Sequence, residues 1–257
     1  MGNQLSIDYL PIPRVNDFES ISQLKEYSAD LFVSMSFNQI LKNEILCAAP
    51  LGFINCHAGA LPFYRGRNVL NWVLINDENE FGITVHYIDK GIDTGDIILQ
   101  RLEPITDQDD YSTLLERAIE VCADLLYEAL ILIHDDNVKR VPQSSIDPVG
   151  IYCGRRRQGD EWVDWNWTSR RVFNFIRAIT EPGPCARTAL EQHEVIIKKA
   201  KLINGAREYI GIPGEVLGIS DRGIVVKTGD TCILLEELEC GLLKNKFRIG
   251  QRFSMNQ

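Results

Sequence analysis

Apolar segments of strand length alternate with segments of helical periodicity over the first half of the chain. The strand-like segments are LSIDYLPI, DLFVSMSF, GFINCHA and GITVHYID, and the last alternates like a half-buried strand. The helical segments are FESISQLKEY, KNEILCAA, NVLNWVLIND and the long amphipathic stretch 109–136. Strands that alternate with helices predict an α/β fold whose parallel sheet is covered on both faces.

The pattern changes after residue 135. Residues 135–150 are polar, include two prolines and predict a linker. The segment TSRRVFNFIRAI predicts a helix with Thr168 or Ser169 as its N-cap. Short β-rich runs separated by turns follow, and they predict a small antiparallel barrel: HEVIIKKAKLI, GEVLGIS, GIVVKTGD and CILLEELE. We therefore predict two domains, residues 1–148 and 149–257.

Composition narrows the class of protein. The chain is 45% hydrophobic and 25% charged, as in ordinary soluble proteins. No run approaches the ~20 apolar residues of a membrane helix, and the first residues lack the basic and apolar regions of a signal peptide. Seven scattered cysteines without a CxxC pair favour reduced thiols in the cytoplasm, and argue against a disulfide framework or a zinc site.

The net charge of −9 is unevenly distributed. Residues 149–257 carry 17 Lys and Arg against 13 Asp and Glu, a net +4, whereas the remainder carries 10 against 23, a net −13. Binding to a polyphosphate backbone depends on Lys and Arg. The acidic first half therefore predicts a poor surface for nucleic acid, which remains possible for the second half.

Candidate chemistry begins where the third apolar run ends. Asn55 and His57 are two positions apart in that strand, so their side chains project to the same side. They lie at its carboxyl end, where open α/β sheets bind ligands. An Asn N–H can donate to a developing oxyanion, and His is a base near neutral pH. The alternative is a buried Asn and His that satisfy the loop backbone.

Two further stretches strengthen the catalytic interpretation. The loop HAGALPFYRGRN contains Gly59, Pro62 and Gly66, which fix a tight backbone and allow close approach of a ligand. The stretch DKGIDTGDI places three Asp side chains in a Gly-rich turn, where one could orient the imidazole. Taken alone, that stretch is more typical of a plain turn.

Together, Asn-x-His, L-P-x-Y-R-G and D-x-G-x-D-T-G resemble the formyltransferase family that uses N10-formyltetrahydrofolate. The resemblance implies that Asn55, His57 and Asp93 are the catalytic residues. An amine attacks the formyl carbon, His57 takes its proton, Asn55 stabilises the oxyanion and Asp93 orients His57. It also implies residues near the pterin of the cofactor, namely Phe37, Asn38, Gln39, Ile40, Leu41, Ile88, Asp89 and Gly91. The implied substrate-binding residues are Pro62, Tyr64, Arg65 and Gly66, and no metal is expected.

The resemblance covers nearly the whole chain and implies its architecture. A Rossmann-like catalytic domain, residues 1–148, is expected to precede an OB-like β-barrel domain, residues 149–257. Gly59 stands where many members have Ser. A strand-helix-strand unit normally precedes the strand near which Met1 falls, so we also expect an exposed sheet edge that lowers stability or pairs with a second copy.

Three functions remain open. The favoured one is formylation of a nucleotide-linked amino sugar, as in lipopolysaccharide precursor synthesis, because YRGRNVLNWVLIND and GRRRQGDEWVDWNWT look more like the sugar enzymes and the first half is acidic. Methionyl-tRNA formyltransferase is the alternative, because the barrel domain is shared and slightly basic. The third is a truncated fragment without activity. The expected partner is a small nucleotide sugar, with tRNA less favoured, no membrane, and a homo-oligomer possible.

Other polar and aromatic residues favour structural roles. His86 lies in an alternating strand and is interpreted as structural. The run of Arg at 155–157 is interpreted as a solvated face. Trp162, Trp165 and Trp167 are interpreted as packing at a domain junction.

Overall fold

The structure is a computed structural model that describes residue 7 and residues 9–241 and 247–255. The helices of the described residues are α1 (Phe18–Glu26), α2 (Asn43–Leu46), α3 (Val69–Ile75), α4 (Tyr111–His134) and α5 (Ser169–Ala178), with a short 3-10 helix at Gln143–Ser145. The strands are β1 (Phe32–Met35), β2 (Phe53–His57), β3 (Arg65–Gly66), β4 (Glu80–Tyr87), β5 (Ile97–Pro104), β6 (Tyr152–Cys153), β7 (Ala186–Leu190), β8 (His193–Leu202), β9 (Val216–Ser220), β10 (Gly223–Lys227), β11 (Cys232–Glu239) and β12 (Phe253–Ser254).

The chain forms two compact units, each assembled from separate segments. The first unit contains the described residues up to Arg65, together with Ile83–Arg101 and Cys122–Ile151. The second contains Gly66–Gly82, Leu102–Val121 and the described residues from Tyr152 onward. The predicted domain boundary between residues 148 and 149 stays a prediction.

The first unit contains a four-stranded sheet with the strand order β1-β2-β4-β5. β1 pairs parallel to β2, with Phe32 opposite Phe53, whereas β2 pairs antiparallel to β4, with Asn55 opposite His86. The expected parallel pairing is therefore present between β1 and β2, whereas β2 and β4 depart from it. An apolar run predicts a strand but not its direction, so the alternation of strands and helices could not reveal this reversal.

The alternation of β4 predicts a half-buried strand, but in the structure β4 is buried on both faces. Residues from Phe81 to His86 are all buried. The polar positions face the loops of the unit instead of solvent: the Thr84 hydroxyl donates to the Gly59 carbonyl at 2.6 Å, and Gln100 Nε2 donates to Thr84 Oγ1 at 2.8 Å. A strand that alternates can thus be fully buried when its polar side chains find partners.

The apolar core beside β2 includes Val15, Leu41, Ile45 and Phe53, all buried. Half-buried side chains from α1 and from Ile12 pack against it. The strand predicted over residues 5–12 lies partly outside the described residues, since residues 5, 6 and 8 are not described. Residues 9–12 belong to no helix or strand.

The second unit contains a six-stranded sheet with the order β12-β7-β8-β11-β10-β9. Its neighbouring strands pair antiparallel. Hydrogen bonds of 2.8 Å, from Val216 N–H to the Gln251 carbonyl and from Phe253 N–H to the Gly214 carbonyl, join the two ends of the sheet. The predicted fold class, a parallel-sheet α/β domain followed by a small antiparallel β-barrel, is confirmed in the form of a mixed α/β domain with parallel strands followed by an antiparallel half-barrel.

α5 packs on β8 within the second unit. It begins as predicted, because the Thr168 hydroxyl accepts a hydrogen bond from the Arg171 N–H at 3.2 Å and so caps the helix. Trp165 is buried, stacks on Phe253 and donates to Thr188 at 3.0 Å. Packing of the tryptophans at a domain junction stays a prediction. Among the described residues, no helix combines the length and the apolar character needed to span a bilayer.

Candidate active site

The polar side chains of β2 and β4 meet on one face of the sheet of the first unit. Antiparallel pairing sets Asn55 opposite His86 and His57 opposite Thr84, and residues directly opposite on paired strands share a face. Asn55 Nδ2 lies 3.3 Å from His86 Nε2. The rings of His57 and His86 lie edge to face, with centroids 6.4 Å apart.

His57 is held by the loop that follows it. Its Nε2 lies 2.7 Å from the carbonyl oxygen of Tyr64, and because a carbonyl only accepts, the N–H of Nε2 is the donor. Its Nδ1 faces Asp93, with Oδ2 at 3.8 Å. That separation is too long for a hydrogen bond but allows an ion pair when His57 is protonated. Catalytic contacts are often this long before substrate binds.

Asp93 reaches the two histidines from the loop between β4 and β5. Its Oδ1 lies 3.7 Å from His86 Nε2. The residue has a left-handed backbone with φ 55°, which Asp tolerates better than most residues. Gln143 Nε2 donates to the carbonyls of Asp93 and Gly95, each at 2.8 Å, while Gln143 Oε1 accepts from Arg65 Nε and Nη2 at 2.9 and 2.7 Å. Gln143 therefore ties down the Asp93 loop.

Cys56, between Asn55 and His57, projects to the opposite face of β2. Its thiol contacts the carbonyl of Cys122 on α4, with sulfur and oxygen 3.7 Å apart. A hydrogen bond with the Cys122 side chain, together with burial, holds the pKa of Cys56 above its usual range. The thiol is therefore a protonated part of the core and no nucleophile.

The predicted substrate-binding residues form the turn after β2. Pro62, Tyr64 and Arg65 are buried, and Gly66 has φ 98°. The Arg65 guanidinium bonds to Gln143 and donates to the Val149 carbonyl at 3.2 Å. In this structure the Arg65 side chain fixes the loop, and its contact with a substrate stays a prediction.

Directly after β1 comes the segment predicted to contact the cofactor: Phe37, Asn38, Gln39, Ile40 and Leu41. Phe37 and Ile40 are exposed, whereas Leu41 is buried in the core beside β2. Gln39 Oε1 accepts from the Val15 N–H at 3.1 Å. The segment thus combines two exposed apolar side chains with two residues that anchor it.

The other predicted cofactor residues lie in the loop that carries Asp93. The Ile88 N–H donates to the Phe53 carbonyl at 2.8 Å. Asp89 Oδ1 accepts from the Gly91 N–H at 3.0 Å and from the Thr94 hydroxyl at 2.5 Å, so this carboxylate shapes the loop.

A cavity of about 610 Å³ opens beside this loop in the first unit. Its lining includes the apolar residues Leu46, Phe53 and Ile88 and the acidic residues Asp89 and Asp96. Ligand pockets typically have this size and combine apolar walls with a few polar groups. Within the described part of the chain, no three or more His, Cys, Asp or Glu side chains cluster as metal ligands.

Comparison with known proteins identifies the family. Residues 12–130 match the family model described as "Formyl transferase", and residues 156–244 match "Formyl transferase, C-terminal domain". The methionyl-tRNA formyltransferase of Syntrophus aciditrophicus is 34% identical over 244 residues, which are 95% of this chain and 76% of that protein. The chain belongs to the formyl transferase family.

Further relatives agree on the family and differ in substrate. The methionyl-tRNA formyltransferase of Citrifermentans bemidjiense is also 34% identical, over 93% of this chain and 73% of that protein. Among solved structures, an N-formyltransferase from Helicobacter canadensis, in complex with folinic acid and dTDP-3-aminofucose, superposes with a TM-score of 0.71 at 23% identity, over 92% of this chain and 81% of that one. The sugar 3N-formyl transferase WlaRD, solved with dTDP and 5-N-formyl-THF, gives 0.69 at 23%, over 96% and 81%.

The formyl transferase assignment makes the chain an enzyme. Sequence reasoning missed two residues of this site. The alternation of His86 with apolar residues predicts a structural role, whereas in the structure its Nε2 lies 3.3 Å from Asn55 Nδ2 and 3.7 Å from Asp93 Oδ1. Gln143 lies in the predicted linker, yet it is 2% exposed and its side-chain amide takes part in four hydrogen bonds with other described residues. The polar composition of residues 135–150 offered no signal of this burial.

Gly59 gives this formyl transferase a testable steric feature. A Cβ at Gly59 would lie 2.5 Å from the Tyr64 carbonyl and 2.6 Å from His57 Nε2. We expect Gly59→Ala to break the His57–Tyr64 hydrogen bond and lower kcat about tenfold, because small displacements of reacting groups slow catalysis strongly. Formyl transfer assays would measure this.

Gly154→Ala is the matched control for Gly59→Ala, since a Cβ at Gly154 meets nothing within 4 Å. It should leave kcat unchanged. An unchanged kcat in a folded Gly59→Ala variant would show that turnover does not depend on the bond from His57 to Tyr64.

Proposed function

We propose that this enzyme transfers a formyl group from N10-formyltetrahydrofolate to an amine, with Asn55, His57 and Asp93 as its catalytic residues. The observation that carries the proposal is the grouping of an amide donor, an imidazole and a carboxylate around one face of the sheet. The amine nitrogen forms a bond to the formyl carbon, the bond from that carbon to N10 of the folate breaks, and N10 receives the proton that the attacking amine loses. His57 takes the amine proton, Asn55 donates to the oxygen that gains negative charge, and Asp93 balances the imidazolium.

We propose that the pterin of the cofactor binds in the cavity beside the Asp93 loop. A pterin is a flat ring with apolar faces and N–H donors at its edge. Leu46, Phe53 and Ile88 offer apolar walls, and the carboxylates of Asp89 and Asp96 offer acceptors for such donors. This supports a folate site at Ile88 and Asp89, as the resemblance implies.

For the acceptor we propose methionyl-tRNA, in place of the amino sugar that the sequence favoured. The support comes from curated relatives, since methionyl-tRNA formyltransferases are 34% identical over more than nine-tenths of this chain. The solved sugar enzymes are only 23% identical, so their likeness supports the fold alone. The second half of the chain adds a net +4 and exposed cations, among them Arg171 over the Trp167 ring at 4.3 Å.

A nucleotide-linked amino sugar is the second candidate. The net charge of −13 on residues 1–148 favours it, because a tRNA acceptor arm would have to approach that acidic half to reach His57. A small nucleotide sugar carries far less phosphate charge and needs fewer cations.

The two acceptors can be separated in one assay. We expect formyl transfer from N10-formyltetrahydrofolate to methionyl-tRNA, with a rate that falls steeply as salt rises, and little transfer to a dTDP-linked amino sugar. Asn55→Ala serves as the catalytic control. Transfer to the amino sugar alone would reject the tRNA proposal, and transfer to neither acceptor would reject formyl transfer and favour the inactive fragment.

Location in the cytoplasm, self-association and the lack of a metal stay predictions. Ultracentrifugation of the purified chain would test the second. The edge strand β1 leaves Val33 and Met35 partly exposed, which supports the expectation of pairing through that edge.

A further inference from the structure

His86 lies next to the candidate oxyanion donor. It pairs across the strands with Asn55, so the two side chains share a face of the sheet. Its ring is almost fully buried, with 1% exposure. A buried histidine in this position must have each ring nitrogen satisfied, and its partners assign its protons.

The partners of His86 fix its tautomer. Nδ1 lies 2.8 Å from the Tyr87 carbonyl oxygen, which only accepts, so the proton is on Nδ1. Burial lowers the pKa of His86 to about 4, against the opposing charge of Asp93. The ring is therefore neutral at physiological pH, and its Nε2 is an acceptor.

This acceptor determines the orientation of the Asn55 amide. Asn55 Nδ2 is 3.3 Å from His86 Nε2, so one amide N–H is directed at the ring. If the Asn55 amide were flipped, Oδ1 would face the lone pair of His86 Nε2, and the hydrogen bond between the two side chains would be lost. Asp93 Oδ1 lies 3.7 Å from His86 Nε2. A carboxylate oxygen is an acceptor, so it cannot donate to this nitrogen in place of Asn55.

We infer that His86 is a positioning residue that fixes the Asn55 amide, so that its second N–H donates to the oxyanion of formyl transfer. The inference rests on the proposed function. Donors stabilise a developing oxyanion only when they are already aimed at its position. His86 itself neither contacts the reacting atoms nor gains a proton in the reaction.

Two variants separate the bond to Asn55 from the bond to Tyr87. His86→Gln retains an acceptor near the Nε2 position but loses the Nδ1 donor. His86→Asn retains a donor near Nδ1 and loses the acceptor. We expect His86→Asn to lower kcat about tenfold with little change in KM for the folate, and His86→Gln to retain most of kcat. If His86→Gln lowers kcat and His86→Asn retains it, the inference is overturned, because kcat then depends on the bond from His86 to Tyr87.

A double-mutant cycle tests whether His86 acts through Asn55. On an Asn55→Ala background, His86→Asn should cause no further loss of kcat, since the group it positions is gone. If the losses of kcat in the two single variants multiply in the double variant, His86 acts independently of Asn55 and the inference is overturned.

A measurement without turnover keeps this inference distinct from the proposed function. If wild type transfers no formyl group, the proposed function fails, and 15N NMR still reads the orientation of Asn55. We expect a His86 ring protonated on Nδ1, and Asn55 side-chain amide signals that move in His86→Asn and stay near wild type in His86→Gln. Asn55 signals unchanged in His86→Asn would refute the positioning role.

Discussion

Replacing His57 by Ala is expected to lower kcat at least about a hundredfold, the usual contribution of general acid–base catalysis. Asp93→Asn should cause a similar loss. Asn tolerates the left-handed backbone at φ 55°, so this change removes the charge that faces His57 at 3.8 Å and leaves the loop unstrained. Single-turnover formyl transfer with saturating folate would measure both.

The two losses should not multiply. Asp93 acts by balancing the imidazolium of His57, so the double variant His57→Ala/Asp93→Asn should be about as slow as His57→Ala alone. Asp136→Asn is the matched control, because Asp136 has φ 52° and is exposed after α4. Near-normal kcat in Asp93→Asn would remove Asp93 from the catalytic residues.

Local pattern was sufficient to find the strand that carries the site. The apolar run before Asn55 predicted β2, and the two-residue spacing predicted that Asn55 and His57 share a face. Asp93 could not be chosen among the nearby acids by composition. The resemblance selected it, and the structure brings its carboxylate between the two histidines.

The sequence pattern does not reveal how neighbouring strands are aligned or which polar side chains are buried. His86 becomes the partner of Asn55 only because β4 runs antiparallel to β2, and an alternating strand does not reveal its direction. β7 and β12 of the half-barrel were also missed, since short strands resemble the turns around them. The burial of Gln143 could not be predicted for another reason. Its segment is polar and contains prolines, which is the composition of an exposed loop, although the Gln143 amide is buried.

Gln143 is expected to be the residue outside the catalytic group whose loss is most costly. Gln143→Leu removes two hydrogen bonds from the Arg65 guanidinium, which is 6% exposed, and removes the Nε2 donor from the carbonyls of Asp93 and Gly95. Removing the hydrogen-bond partner of a buried polar group costs about 1–3 kcal/mol, and more when the group is charged. We expect the free energy of unfolding in urea to fall by about that amount.

Gln143→Glu separates stability from the placement of Asp93. A carboxylate still accepts from Arg65, so the buried cation remains paired, but it cannot donate to the carbonyls of Asp93 and Gly95 and repels them instead. We therefore expect a smaller loss of stability than in Gln143→Leu, with kcat lowered about tenfold as the Asp93 loop moves. Ser145→Ala, on the same short 3-10 helix but exposed, should change neither quantity. A folded Gln143→Glu variant with wild-type kcat would show that the position of Asp93 does not depend on these two hydrogen bonds, and that the role of Gln143 ends with Arg65.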